Sequence, residues 1–155
     1  MKIENLPEKY EKIWKKALPI LKKGRPGDDV HAKETVKLVL SYQGNIKHDK
    51  DVIIPVAMMH DIGHALLLPE HFAYVTGPKK IVNAKLVHML AGAKIAKDIL
   101  DSVGYDKKKT KEVVDIITIN DFDQLKDVEW KKVYDTPNKK FFHDMDALAD
   151  IRKRE

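Results

Sequence analysis

The 155-residue sequence predicts an all-α protein, a single-domain helical bundle of five or six helices. Three observations carry this. Apolar residues recur at three- and four-residue intervals along most of the chain, Gly and Pro punctuate the gaps between those segments, and no neighbouring stretches show the clean alternation that paired strands need.

The elements follow in order. Tyr10, Ile13, Trp14, Ala17 and Leu21 share one face, so residues 1–23 form an N-terminal helix that packs on the rest and ends at the breakers Gly24, Pro26 and Gly27. Asp28 or Asp29 caps a second helix, with His31 in its first turn and Val36, Val39 and Leu40 on its face, until Gly44 stops it. Asp49 or Asp51 opens a third, running from about Asp51 to Leu68, with Pro55 tolerable if it falls in the first turn. Its run "VIIPVAMM" has too little polar surface to lie outside, so this helix is central. The stretch "LLPEHFAYVTGPKK", Leu67 to Lys80, reads as an irregular wall or lid, since it sets His71, Phe72 and Tyr74 beside Gly77 and Pro78. A fourth helix puts Ile81, Leu86, Leu90, Ala93, Ala96 and Leu100 on its apolar side, carries His88 and ends at Gly104. The fifth runs from about Lys108 through Val113, Val114 and Ile117 to Asn120, and the last follows Pro137. The segment "VVDIITI" has strand propensity but no alternating partner.

Composition narrows the setting. With 43% apolar residues the chain can bury the core of one domain, residues 1–155, whose motif-bearing part spans roughly 24–152. Twenty-nine Lys and Arg against 24 Asp and Glu leave a net charge of +5, a weak pull toward anionic partners. The dense run Lys107 to Lys109 has no interleaved aromatics to stack on bases, which argues against nucleic acid as the main partner. There is no cysteine, so any metal must be held by imidazole and carboxylate. The N-terminal residues lack an apolar core of signal-peptide length and no run approaches about 18 apolar residues, so the expectation is a cytoplasmic protein with no membrane partner; a homo-oligomer is left open.

The stretch "VAMMHDIGHA", Val56 to Ala65, drives two histidines and an aspartate into an apolar segment. On a continuing helix His64 would lie beside both His60 and Asp61. A lone helical histidine more often has a structural role, but burying the Asp61 carboxylate unpaired costs several kcal/mol or forces it to take up a proton. A divalent cation removes that cost. Mn, Fe, Co, Ni, Zn and Mg are all compatible with the donors, and the rest of a site can come from His31, His88 or the acidic pair Asp144 and Asp146.

These residues resemble the HD-domain superfamily of metal-dependent phosphohydrolases, which are all-helical and use the order His, His-Asp, then a distant Asp on a late helix. "GDDVHAKETVKLVL" is similar to the first-histidine helix, "MMHDIGH" to the His-Asp signature, "LVHMLAGAKIAKDIL" to the His-x-x-x-Gly-Ala helix and "FFHDMDALADI" to the closing helix. The resemblance implies His31, His60, Asp61 and Asp146 as ligands of one divalent ion per chain. Asp146 is chosen because the family element uses the second Asp of its pair, although periodicity alone does not separate it from Asp144. Binuclear members usually place one or two histidines at the end of the fifth helix, where this chain has Asn120 and Asp121, so a second ion, on Asp121 and His88, would be weak.

The implied reaction is hydrolysis of a phosphate ester, from a nucleotide or another small phosphorylated metabolite. Asp61 would orient or deprotonate the attacking water, with His64 and His88 as catalytic candidates for the leaving oxygen. Lys79, Lys80 and Lys85 would attract the anionic substrate. Two readings compete: a non-catalytic module that binds metal or nucleotide, and a zinc peptidase using His60 and His64 of His-Asp-x-x-His. Which histidine shares the ion with His60 discriminates between peptidase and phosphohydrolase.

Overall fold

Every regular element among the described residues is helical, as the periodicity predicts. The computed structural model describes residues 1–66, 84–125 and 129–154. In chain order these are α1 (Glu8–Leu21), α2 (Asp28–Ser41), α3 (Lys50–Met59), a 3-10 helix (Ile62–Leu66), α4 (Ala84–Ser102), α5 (Lys107–Ile119), a 3-10 turn (Phe122–Gln124), the short α6 (Trp130–Val133) and α7 (Pro137–Arg154). The expected wall or lid over Leu67 to Lys80 lies outside the described residues, as does Ile81. No helix among the described residues is long and apolar enough to cross a membrane.

The third helix is central. Every residue from Val52 to Met59 is buried, and α1, α2, α5 and α7 pack around it. Full burial of each large apolar side chain contributes roughly 1.5–3 kcal/mol, so α3 is a large contributor to core stabilisation. The face read for α1 is the face that is buried, Tyr10, Ile13, Trp14, Ala17 and Leu21.

Four local expectations are corrected, the last of them at Pro55. The second helix is capped by Gly27, whose φ of 92° lies in the left-handed region that glycine enters without strain, while Asp28 and Asp29 sit in the first turn. The third helix stops at Met59 instead of running to Leu68, and the chain tightens into the 3-10 helix, where His64 N–H donates to the Asp61 carbonyl at 3.2 Å. On α4 the buried side carries His88, Met89, Ala93, Ala96 and Leu100, while Leu86 and Leu90 face outward. A helix drawn through Leu86 and Leu90 would have put His88 on its flank.

Pro55 is not in the first turn of its helix. It is the sixth residue of α3, so the carbonyl of Asp51, four residues earlier, loses its N–H donor. The Tyr105 hydroxyl, just beyond α4, donates to that carbonyl at 2.5 Å and replaces the missing bond. The Asp51 carboxylate accepts from the Tyr10 hydroxyl and pairs with Lys9 at 2.6 Å and Lys109 at 2.9 Å, tying α1 and α5 to the start of α3. The polar work of this helix is thus divided between its ends.

Candidate metal centre

At its C-terminal end, α3 delivers His60 as its cap residue and Asp61 immediately after. His31 reaches them from the first turn of α2, and Asp146 from the middle of α7. His31 Nε2 lies 3.1 Å from His60 Nε2, 2.8 Å from Asp146 Oδ1 and 4.0 Å from Asp61 Oδ2. His60 Nε2 lies 3.2 Å from both Asp61 Oδ2 and Asp146 Oδ1. Donors bound about 2.1 Å from a shared ion stand roughly 3.0–3.4 Å apart when adjacent and about 4.2 Å apart when opposed. The three contacts of His60 Nε2 thus match adjacent ligands, the 2.8 Å contact is slightly tighter and the 4.0 Å separation is near that of an opposed pair.

Hydrogen-bond bookkeeping makes the same point. His60 Nδ1 lies 3.1 Å from the Ala57 carbonyl and 3.3 Å from that of Val56, and carbonyls only accept, so Nδ1 carries the hydrogen. A neutral His60 therefore turns a lone pair at Nε2 toward two carboxylates that are also acceptors. A positive charge must enter to stop that repulsion, either a proton on Nε2 or a bound cation. Accordingly, although burial opposes charging, Asp61 and Asp146 raise the pKa of His60 well above the ordinary imidazole value. Burial works against ionisation of the two carboxylates as well, yet His60 holds both far below the usual carboxylate range, helped by Arg25 at Asp61 and by His31 at Asp146.

His64 is not beside His60 on one helical face, because α3 has ended. It stacks on His88 with ring centroids 4.1 Å apart, and Asp61, His64 and His88 form a second group of converging donors next to the first. His88 Nε2 is 2.5 Å from Asp121 Oδ2, whose other oxygen accepts from Gln124. His64 Nε2 and His88 Nδ1 are buried without a hydrogen-bond partner. Burial first, then His88 and Arg25, push the pKa of His64 down to about 3, so its ring is neutral near pH 7. Asn120 turns its amide toward the His60 carbonyl.

Gly63 sets the contact between these groups. A β-carbon there would meet the His88 carbonyl oxygen at 1.9 Å and the Gly92 nitrogen at 2.6 Å. With no side chain, the Asp61–His64 turn lies directly on α4, which brings His64 to His88.

A cleft of about 310 Å³ opens on the first group, lined by Arg25, Asp28, His31, Asp61, Lys85 and Asp146 among others. Arg25 is fastened to the buried Asp28 at 3.0–3.2 Å and reaches within 3.5 Å of Asp61 Oδ2. Lys85 lies 3.9 Å from Asp121. Asp144 is exposed and contacts only the neighbouring His143, at 3.9 Å, among the ion pairs of the described residues. Lys79 and Lys80 lie outside those residues.

Arg25, Asp28 and Asp150 were not singled out by the sequence as site residues. "GRPGDD" reads first as a breaker and a cap, but Asp150 follows Asp146 by four residues, and that spacing is a legible sign of a shared face. No protein-family model, no curated protein and no solved structure matches the chain.

Proposed function

We propose that the protein is a metal-dependent phosphohydrolase of the HD type, acting on a small phosphate ester. One observation carries the reading: donor atoms of His31, His60, Asp61 and Asp146, from three separate helical segments, meet at ligand spacing on a polar cleft. The set is oxygen and imidazole nitrogen, which suits Mn, Fe, Co, Ni, Zn or Mg, and the buried excess of acceptors fits a divalent ion better than it fits protons. When bound, such an ion polarises a phosphoryl oxygen and brings the pKa of water toward neutrality.

The chain's own residues supply the rest. Asp61 directs Oδ2 to the cluster, and its Oδ1, 3.9 Å from His64 Nε2, is the acceptor that orients the attacking water. His64, being neutral, serves by accepting or donating a hydrogen bond, and the His88–Asp121 pair is the group that can pass a proton to the leaving oxygen. Arg25, held rigid by Asp28, offers N–H donors to the substrate's phosphoryl oxygens. The cleft also contains Asp28, Asp61, Asp121, Asp146 and Asp150 against Arg25 and Lys85, so an anion enters only once the cluster holds positive charge. In the peptidase alternative His60 and His64 would share the ion; among the described residues His60 groups with His31, and His64 with His88.

The test is turnover of an aryl phosphate and of a panel of phosphomonoesters, nucleoside triphosphates and cyclic nucleotides by protein loaded with each ion in turn. Asp61→Asn keeps the size of the residue but removes its charge, and it should lower ion content and turnover together, by roughly 100-fold or more. Asp144→Asn should leave both within about twofold. Undiminished turnover in Asp61→Asn refutes the proposal, and ion uptake with no product from any ester points to a binding module.

A further inference from the structure

The two histidines of the cluster differ at the nitrogen that faces away from it. His60 Nδ1 is satisfied by the Val56 and Ala57 carbonyls, which fixes that ring with Nε2 turned inward. His31 Nδ1 is buried and makes no hydrogen bond. Asp150 Oδ1 stands 3.4 Å from it, one helical turn beyond Asp146 on the same side of α7. The Asp150 side chain is 55% exposed, so it has room to rotate into line with the ring.

An imidazole offers a lone pair at one nitrogen only when its hydrogen sits on the other, and a buried N–H needs an acceptor. His31 Nε2 is 2.8 Å from Asp146 Oδ1, and because a carboxylate only accepts, that contact is a hydrogen bond without a cation only when His31 carries its hydrogen on Nε2. Ligation through Nε2 requires the hydrogen at Nδ1 instead. For a neutral ring the exchange is balanced: Nε2 gives one proton to solvent and Nδ1 takes one up.

We propose that Asp150 is a positioning residue for His31, accepting the Nδ1 hydrogen when Nε2 presents its lone pair to a divalent cation. The inference rests on the proposed metal centre. Asp146 and Asp150, four residues apart, then act on opposite edges of one ring, the first at the ligating nitrogen and the second behind it. Asp150 also forms, with His31 and Asp146, a group of donors close enough to hold an ion, but its contact to His31 is at Nδ1, while His60 and Asp146 gather at Nε2, and this places it behind the ring.

The experiment measures Co²⁺ affinity by competition with a chromogenic chelator, with the visible spectrum of the bound ion and the melting temperature of chelator-treated protein recorded alongside. Asp150→Ala, which removes the acceptor, should weaken Co²⁺ binding about 10- to 100-fold. Its chelator-treated form should melt with the wild type. Asp150→Asn keeps an oxygen that can accept N–H but ligates cations poorly, and it should stay within about threefold of the wild type. In the Co²⁺-loaded wild type the shifted, exchangeable Nδ1 proton of His31 should be visible by NMR, and it should exchange away in Asp150→Ala. Equal affinity in Asp150→Ala overturns the proposal, as does equal loss in Asp150→Ala and Asp150→Asn, which would make Asp150 a ligand. A lowered melting point of the metal-free Asp150→Ala protein, matching its loss of affinity, would assign a purely structural role and overturn it as well. A wild-type protein that takes up no Co²⁺ removes the metal centre itself, a failure recognisable before any variant is made.

Discussion

Replacing Gly63 with Ala should be among the most damaging single-methyl changes in this protein. The new β-carbon would fall 1.9 Å from the His88 carbonyl oxygen, 2.8 Å from the His88 carbonyl carbon and 2.6 Å from the Gly92 nitrogen. All three are backbone atoms, so no rotamer change relieves the clash. Restoring an ordinary contact of about 3.4 Å requires the turn and α4 to separate by roughly 1.5 Å, which opens the packing of Met89 and Ala93 behind them. Overpacking in a filled core costs about 1–3 kcal/mol and occasionally more, and the rigidity of both partners places this case near the top, at about 3 kcal/mol. The gain of about 0.5–1 kcal/mol from a less flexible unfolded chain only trims that loss. For a chain of this size each kcal/mol moves the melting temperature by about 2–4 °C, so a drop of roughly 5–10 °C is expected. Gly92→Ala is the comparison, because its β-carbon meets Gly63 N at 3.3 Å and the side-chain Cγ2 of Ile117 at 3.4 Å, contacts that small shifts can absorb. Thermal and urea unfolding of chelator-treated protein measure both variants. Gly63→Ala within about 1 kcal/mol of the wild type, or less harmful than Gly92→Ala, would refute the close approach.

The stability of the chelator-treated protein should peak near pH 6.5, the ordinary imidazole pKa. His60, whose pKa the two carboxylates raise against the opposing effect of burial, contributes fully below about pH 6.5, and that contribution is lost as pH climbs through the raised value. His64, pushed down to about 3 by burial, takes stability away as pH falls from about 6.5 toward 3, because the unfolded chain binds a proton that the folded one refuses. Asp61 and Asp146, with depressed pKa values, lose their contribution only below about pH 4. Melts from about pH 4 to 9 test this: a steady rise to pH 9 would exclude the part given to His60, and His64→Gln should flatten the acid side. Tyr105→Phe should cost about 1–3 kcal/mol by leaving the Asp51 carbonyl without a donor, whereas in a Pro55→Ala background, where an N–H returns, the same change should cost markedly less. Additivity in that cycle, read by urea unfolding, would show the two residues to be unrelated.

The all-α architecture, the buried face of α1 and the central place of α3 were legible because each depends on local periodicity and mean apolarity. The limits lay where one segment's course depends on another's. "MMHDIGHALLL" carries an unbroken helical pattern, but the helix stops at Met59 because Gly63 lets the chain turn onto the α4 backbone. The same contact turns His88 and Met89 inward, which displaces the face drawn through Leu86 and Leu90. Pro55 read as tolerable only in a first turn, since nothing near it in sequence announces that Tyr105, fifty residues on, will replace its bond. For the site, the His60–Asp61 pair was visible as polar groups in an apolar run. The meeting of His31 and Asp146 with them came from the family resemblance, and the geometry brings them together. Arg25 escaped notice because a cation in a Gly- and Pro-rich linker is ordinarily solvated, and its ordering depends on Asp28 being buried.

The contact between His31 and Asp146 can also be considered as a problem in polymer physics. It joins residues 115 positions apart, whereas His60 and Asp61 are neighbours in the chain. Closing a flexible loop of that length costs about 4 kcal/mol of chain entropy, and the cost is met only after the intervening helices have found one another. The fourth donor therefore arrives late in folding, and any partial opening that lifts α7 off α2 removes it first. Three of the donors survive in such a form, His31, His60 and Asp61, but the four-donor chelate does not. The intact cluster thus reports that folding is complete, and whatever it holds would be released by fluctuations far smaller than global unfolding.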